Sequence, residues 1–271
     1  MSGAILIDER CIQSLITMDD ALAVVEEVFR AQGTGDNGGV TNVPRLRMPV
    51  RNGVVRITAA VLSYRGYYGV KISSTAVFGR DAGRMFCLYR EADGALAAIV
   101  QVFTMGAMRT GAASGVATKY LANEDASVLA VIGTGRQART QVEAVCKVRA
   151  IREVRVYSRS ASNRERFCAE SEKFNKIKYL PIDSAEQAVR GADIVIAATP
   201  SEQPVVQGAW LKPGAHINAT SSSATPNDLN KVMSSRDVRP RTLPATTSAS
   251  GCTSSQRNTP ACTGATRSVA S

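Results

Sequence analysis

The sequence predicts an α/β protein in two domains: an N-terminal α+β domain, then one built on a parallel sheet wound with helices. Three observations carry this. Residues 127–200 alternate strand-like and helix-like segments; residues 54–103 hold several strand-like runs side by side; and a small-residue-rich stretch, 104–122, reads as a helix leading from one pattern into the other. Regular β-α alternation implies parallel strands joined by right-handed crossovers, whereas neighbouring strand runs separated by turn residues imply hairpins. The boundaries that follow are 1–115, 116–219 and a tail of different character, 220–271.

In the first domain, "TMDDALAVVEEVFRAQ" (17–32) is an amphipathic helix. Thr17 is its N-cap candidate, Asp20 stands three residues on, and Ala21, Val24, Val25, Val28 and Phe29 share one face. The Gly, Asn and Pro content of 33–44 predicts a loop. Strand runs follow at 54–63, 67–78, 84–91 and 95–103, the last two joined by "EADG", a good hairpin turn.

In the second domain the strands fall at 127–133, 153–158, 176–181 and 193–200, with helices at 136–149, 161–174 and 184–191, and "GAHINA" (214–219) after them. Beyond 219 the chain turns to Ser, Thr, Pro, Asn and Arg with scattered apolar residues and no sustained period. Such a composition buries too little surface to offset ordering entropy, so a disordered or loosely packed tail is expected.

Composition narrows the function. No apolar stretch nears the roughly 20 residues that span a bilayer, and "MSGAILIDER" lacks the features of a leader peptide, so a cytoplasmic protein without membrane contact is expected. Six scattered cysteines read as free thiols. His216 is the only histidine, which excludes a His-rich metal site and any Ser-His-Asp triad built elsewhere. The net charge of +10 is spread over interspersed acids and bases with few aromatics; this suits phosphate-bearing cofactors and carboxylate substrates better than nucleic acid.

The stretch "VLAVIGTGRQARTQVEAV" (128–145) places Gly133-x-Gly135-x-x-Ala138 directly after a strand and at the start of a helix. That context turns a weak motif into a dinucleotide fingerprint of the Rossmann type. Gly133 permits the tight turn, Gly135 lets the pyrophosphate approach the backbone, and Ala138 keeps helix and strand close. Thr134, Arg136 and Gln137 lie in the same turn, where free N–H groups and the helix dipole favour phosphate. NAD-binding strands usually end in an acid that holds the ribose 2′-hydroxyl. Here the second strand ends in Ser158, Arg159 and Ser160, which favours NADP(H) and leaves NAD(H) possible.

With these motifs in hand, "PRLRMP", "GVKISS", "MRTGAASGVATKYLA", "VIGTGRQA", "VYSRS", "GADIVIAATPS" and "GAHINA" together make the chain resemble the ornithine cyclodeaminase/mu-crystallin family over roughly residues 1–219. The resemblance implies a substrate and dimerisation domain, a Rossmann domain and a homodimer. It implies an NAD(P)-dependent oxidoreductase of a small carboxylate-bearing α-amino or α-imino acid, of the cyclic ketimine reductase or amino-acid dehydrogenase type. The alternatives are conversion of ornithine to proline with loss of ammonia, or a non-catalytic NADP(H)-binding relative.

The same resemblance makes Arg45 and Arg109 the carboxylate-binding arginines and Lys71 the active-site lysine, also touching the carboxylate. Thr110 and Thr199 are placed at the cofactor. From the residues alone, Arg45, Lys71 and Arg109 read as surface charges, with Lys71 set apart because an apolar strand tolerates a lone charge poorly. Two departures stand out. Arg56 falls where cyclodeaminases carry an acid for the substrate's distal amine, which argues against a diamino acid and for a neutral or cyclic imino acid. After 219 the family pattern stops, as in a frameshifted or truncated reading frame, with Ser223 near the position of a catalytic aspartate.

Overall fold

A computed structural model describes residues 3–34, 39–51, 53–74, 83–173, 177–201 and 203–220, with the backbone of 233–234. The chain divides into two compact units, Met1–Val116 and Ala117–Ser271.

The first unit contains β1 (Ile5–Ile7), α1 (Glu9–Leu15), α2 (Met18–Gly33), β2 (Val40–Asn42), β3 (Leu46–Val50), β4 (Gly53–Leu62), β5 (Tyr67–Ser74), β6 (Met85–Arg90) and β7 (Leu96–Gln101). The helix α3 (Phe103–Leu121) leads out of it. The strands form one sheet in the order β1-β7-β6-β5-β4-β2, with β3 also on β4. Pairing is antiparallel except between β1 and β7.

The predicted α2 begins as the sequence implied. Thr17 and Asp20 form a reciprocal capping box, each side chain accepting from the other's backbone N–H. The loop expected over 33–44 needs correction, because Val40–Asn42 is a strand paired with Ala60–Leu62; residues 35–38 lie outside the described set. The short elements β1, α1 and β3 were not anticipated. Three and five residues are too few to display a period, and α1 is announced mainly by its cap, Asp8, whose Oδ1 accepts from Cys11 N at 2.8 Å.

Side-chain alternation assigns the two faces of this sheet. One face carries Ile7, Phe86, Leu88, Ala98 and Val100, which pack with Ile12 of α1 and with Val102 and Met105 to make the unit's core. On the opposite face Leu46 and Ile72 remain 53% and 46% exposed, with Met48 and Val50 beside Leu46.

The second unit is a parallel sheet in the order β10-β9-β8-β11-β13, built from β8 (Val128–Ile132), β9 (Glu153–Tyr157), β10 (Lys178–Pro181), β11 (Ile194–Ala197) and β13 (His216–Ala219). Helices α4 (Arg136–Val148), α5 (Ala161–Glu172) and α6 (Ala185–Val189) connect them. The first strand lies in the middle and the order reverses beside it, as in doubly wound dinucleotide-binding sheets. Leu129, Val131, Val154, Val156, Ile194 and Ile196 are fully buried on one side, with Phe167 of α5 against them. Ala130, Val195, Ala197 and Val189 of α6 fill the other.

Asp193 ties this sheet at its entry. Although burial opposes its charge, its pKa is lowered by Lys212 and by the N–H groups of Ser127 and Val128, which donate to Oδ2 at 2.9 and 2.8 Å. The tail expected to be disordered lies outside the described residues apart from 220 and Met233–Ser234. The latter pairs in parallel, as β14, with β12 (Val206–Gln207).

Among the described residues no helix is long and apolar enough to cross a membrane.

Candidate active site

In the second unit the fingerprint turn sits where the strand order reverses. Gly133 follows β8 with φ +115, a conformation that side chains rarely adopt. A Cβ there would lie 2.2 Å from the Ala198 carbonyl oxygen at the end of β11. Its N–H donates to Tyr157 O at 2.8 Å, which fixes the turn to β9 as well.

Gly135 is the N-cap of α4 and supplies no side-chain cap, so the first N–H groups of a 13-residue helix are left for another acceptor. A Cβ at Gly135 would meet nothing within 4 Å, so the turn has open space beside uncapped donors. Those features fit a pyrophosphate. Thr134, Arg136 and Gln137 surround the turn half-buried, and Ala138 is fully buried against the sheet. Thr199 follows β11, its Oγ1 accepting from Ser201 N at 3.3 Å.

At the end of β9 the predicted trio has more defined tasks than sequence alone gave it. Ser160 is the N-cap of α5, accepting from Asn163 N at 3.3 Å, and Ser158 donates to Ser160 O at 3.0 Å. Arg159 is exposed between them. Arg164, which sequence reasoning missed, holds this turn from beneath. Its guanidinium is mostly buried and donates to Ser158 O at 2.7 Å and to Asp183 at 2.6 Å. The only sequence signal was an arginine near the start of a helix, three and four residues before Phe167 and Cys168, which pack inward on the same face.

His216 and Asn218 lie on β13, both buried. Asn218 donates to Thr118 Oγ1 at 2.9 Å. Neither ring nitrogen of His216 finds a partner of good hydrogen-bond geometry. Desolvation pushes its pKa down to about 4, with Arg149 adding to the effect and the nearby Asn218 amide opposing it slightly. The unfolded chain takes up the proton near 6.5 while the folded chain resists until about 4. Stability should therefore be constant above pH 6.5 with respect to this group and fall as pH drops towards 4, by roughly 3 kcal/mol in all. Chemical denaturation of wild type and His216→Gln at pH 7 and pH 4.5 checks it; the variant should lose much less across that interval.

In the first unit the substrate candidates meet on one face of the sheet. Lys71 on β5 stands opposite Thr58 on β4 and Phe86 on β6. The Phe86 ring lies over Gly69, where a Cβ would come within 2.2 Å of it, so an aromatic wall flanks the lysine. Next to that rung stands another, Arg47–Arg56–Ser73, across β3, β4 and β5. Arg45 and Arg84 extend the same face one residue before β3 and β6. Arg109 comes from α3, with Thr110 beside it donating to Gly106 O at 2.9 Å.

Solvent reaches Arg109, yet protein surrounds it closely enough for desolvation, then Arg45, to lower its pKa. Lys71 is pushed down to about 8 by burial first and then by Arg109, Arg45, Arg84 and Arg56. Arg56 is lowered likewise by burial and by Arg47, Arg45 and Arg84. Of these, Arg47 and Arg84 were not singled out from sequence. The usable signal was the period of two that sets Arg45 and Arg47 on one side of a strand.

The chain matches the family described as ornithine cyclodeaminase/mu-crystallin over residues 5–242. The match runs past 219, where the recognisable motifs stop, and so corrects that limit. Alanine dehydrogenase of Archaeoglobus fulgidus is 34% identical over 224 residues, covering 81% of this chain and 67% of that one. A solved Thermococcus litoralis Δ1-pyrroline-2-carboxylate reductase, in complex with NADH and L-proline, superposes with TM-score 0.75 at 34% identity. It covers 80% of this chain and 68% of the other. An archaeal alanine dehydrogenase dimer with bound NAD superposes with TM-score 0.73 at 32% identity, over 79% and 66%. The chain thus spans about two thirds of the length of these relatives, and with that match, that sheet order and that turn it belongs to the ornithine cyclodeaminase/mu-crystallin family.

Proposed function

We propose that the chain is an NAD(P)-dependent oxidoreductase that interconverts a small α-imino acid and the corresponding α-amino acid. The observation that carries this reading is the convergence of Arg45 and Arg109 on Lys71, a half-buried amine flanked by Phe86. Planar guanidinium groups suit a carboxylate held by paired hydrogen bonds. Lys71, poised to lose its proton near pH 8, polarises the carbon–nitrogen centre next to that carboxylate. A nicotinamide cofactor at the Gly133 turn would supply or accept the hydride. What the chain adds is orientation and a fixed positive field, the two largest resources for such a step.

The relatives with NADH and NAD support a nicotinamide cofactor. The phosphorylated form is the reading for this chain because Ser158, Arg159 and Ser160 offer a cation and hydroxyls with no acid among them. NADPH should bind more tightly than NADH, and Arg159→Ala should shrink the difference. Fluorescence titration measures both; NADH bound tenfold better, about 1.4 kcal/mol in the opposite sense, would reverse the assignment.

The activity is tested by following NADPH oxidation with pyrroline-2-carboxylate, piperideine-2-carboxylate and pyruvate plus ammonia, with ornithine plus NAD in parallel. Reduction of at least one imino acid is expected, and ornithine turnover should be slow or absent because Arg56 repels a distal amine. Rapid proline formation from ornithine would overturn that part.

The exposed apolar face around Leu46, Met48 and Ile72 suits a homodimer interface. Sedimentation should give a dimer, and Ile72→Asp a monomer.

A further inference from the structure

In a doubly wound sheet the ribose of a dinucleotide lies at the carboxyl end of the second strand, here β9. That strand end carries no acid, but its neighbour does: Asp183 follows β10, the next strand of the sheet. Arg164 stands between the two. Its Nη1 donates to Ser158 O at 2.7 Å and its Nη2 to Asp183 Oδ1 at 2.6 Å. We propose that Arg164 is a positioning and specificity residue for the cofactor: by neutralising Asp183 it lets the turn at Ser158–Ser160 accept a ribose 2′-phosphate. The inference rests on the NADP(H) reading above, in which Arg159 supplies the attraction. Arg164 removes a repulsion.

Distance makes the acid matter. The outer nitrogens of a guanidinium lie about 2.3 Å apart, so the two hydrogen bonds hold the Asp183 carboxylate within about 8 Å of Ser158 O. That is about one Debye length at physiological salt. Ser158 occupies the position from which a strand-end acid selects NAD. A bare carboxylate this close would act in the same sense from the side, because a phosphate monoester carries almost two negative charges. Nor can Asp183 swing far. Ile182 N donates to Val156 O at 2.8 Å before it, and Ser184 caps α6 after it, accepting from Gln187 N at 3.1 Å.

Burial indicates that the arginine serves through its charge. The Arg164 side chain is 10% exposed and that of Asp183 is 92% exposed, so the acid faces the solvent from which a cofactor arrives. An ion pair with one member so open adds little to stability. The arginine also leaves its Nε buried with no partner, which costs stability. An apolar side chain of similar length would fill the space beside the Tyr157 ring, 5.8 Å from the guanidinium carbon, without that cost. What such a side chain could not do is cancel the charge of Asp183.

The net charge of the pair is the quantity to vary. Dissociation constants of NADPH and NADH for the full-length chain are measured by fluorescence titration, and the preference for NADPH is their ratio. Arg164→Met leaves Asp183 bare and should cut that preference about tenfold, through NADPH, with NADH little changed. Asp183→Asn leaves the cation alone and should raise the preference. The double variant is neutral again and should return to within about threefold of wild type, as should Arg164→Lys. Equal weakening of both cofactors in Arg164→Met, unrelieved in the double variant, is the mark of a merely structural residue and overturns the proposal. An unchanged preference in Asp183→Asn overturns it as well, and that variant alters an exposed side chain, so the test survives an Arg164→Met chain that fails to fold. A wild type that prefers NADH, with the variants still ordered by charge, overturns the NADP(H) reading and leaves the role of Arg164. A wild type that prefers NADPH, with all variants alike, does the reverse.

Discussion

Replacing Lys71 by methionine should lower kcat/KM for imino-acid reduction by about 10²–10⁴, the range for losing one positioned proton-handling or electrostatic group. The protein should fold normally and melt no lower at pH 7. Burial and four neighbouring arginines disfavour the charged amine in the folded chain, so its pKa falls from 10.5 to about 8. Below pH 8 the lysine is charged in both folded and unfolded chains, and the unfavourable crowding is felt in full. Between about 8 and 10.5 the folded chain releases the proton first and that cost is progressively removed. Methionine removes it at every pH. For activity the sign is the opposite: kcat/KM of wild type should fall as pH rises through about 8, as the polarising charge is lost. A pH–rate profile with no inflection on that limb, or a methionine variant within tenfold of wild type, would be incompatible with this role. Melting curves of the two proteins check the stability half.

A second large effect is expected at Gly133. Alanine there must adopt φ near +115 and place its Cβ against the Ala198 carbonyl, 2.2 Å away in the present geometry. A backbone carbonyl at the end of a buried strand cannot swing aside as a side chain could. Strained backbone costs on the order of 1–3 kcal/mol and overpacking a similar amount, so Gly133→Ala should destabilise the chain by about 2–5 kcal/mol. It should also push the β8 turn away from α4 and abolish measurable NADPH binding. Gly135→Ala is the contrast, since nothing lies within 4 Å of its Cβ in the protein itself. That variant should keep its stability and lose affinity only because the methyl occupies the space the pyrophosphate would use. Equal stabilities for the two variants in urea unfolding would contradict the account.

Much of this was readable in the sequence, and the reasons differ by element. The alternation from 127 to 200 gave the second unit because its central strands β8 and β11 are buried on both sides, so an uninterrupted apolar run marks each of them. Thr17 and Asp20 announced α2 through a spacing that has one common physical use. By contrast, β1 and β2 are three residues each, and their pairing with β7 and β4 depends on partners distant in the chain. Local pattern contains no information about such partners. Arg45, Lys71 and Arg109 were found through family motifs, whereas Arg47, Arg84 and Arg164 were not. Their significance comes from register and from hydrogen bonds to residues 6 to 19 positions away, which only the folded chain reveals. Arg56 is intermediate. The sequence marked it as a foreign charge, and the sheet shows which rung it occupies.

The strand order of the second unit also dictates a timetable. The turn at Gly133 leans on Ala198, which is synthesised roughly 65 residues later. When β8, α4 and β9 have left the ribosome, β8 still has one bare edge, because its other neighbour is β11. At about 5–20 residues per second that edge waits several seconds for its partner. Until then its unpaired N–H and C=O groups form a template for any extended chain nearby. The nucleotide turn is thus encoded early and completed late, and the emerging chain is most exposed to misassembly in the interval between.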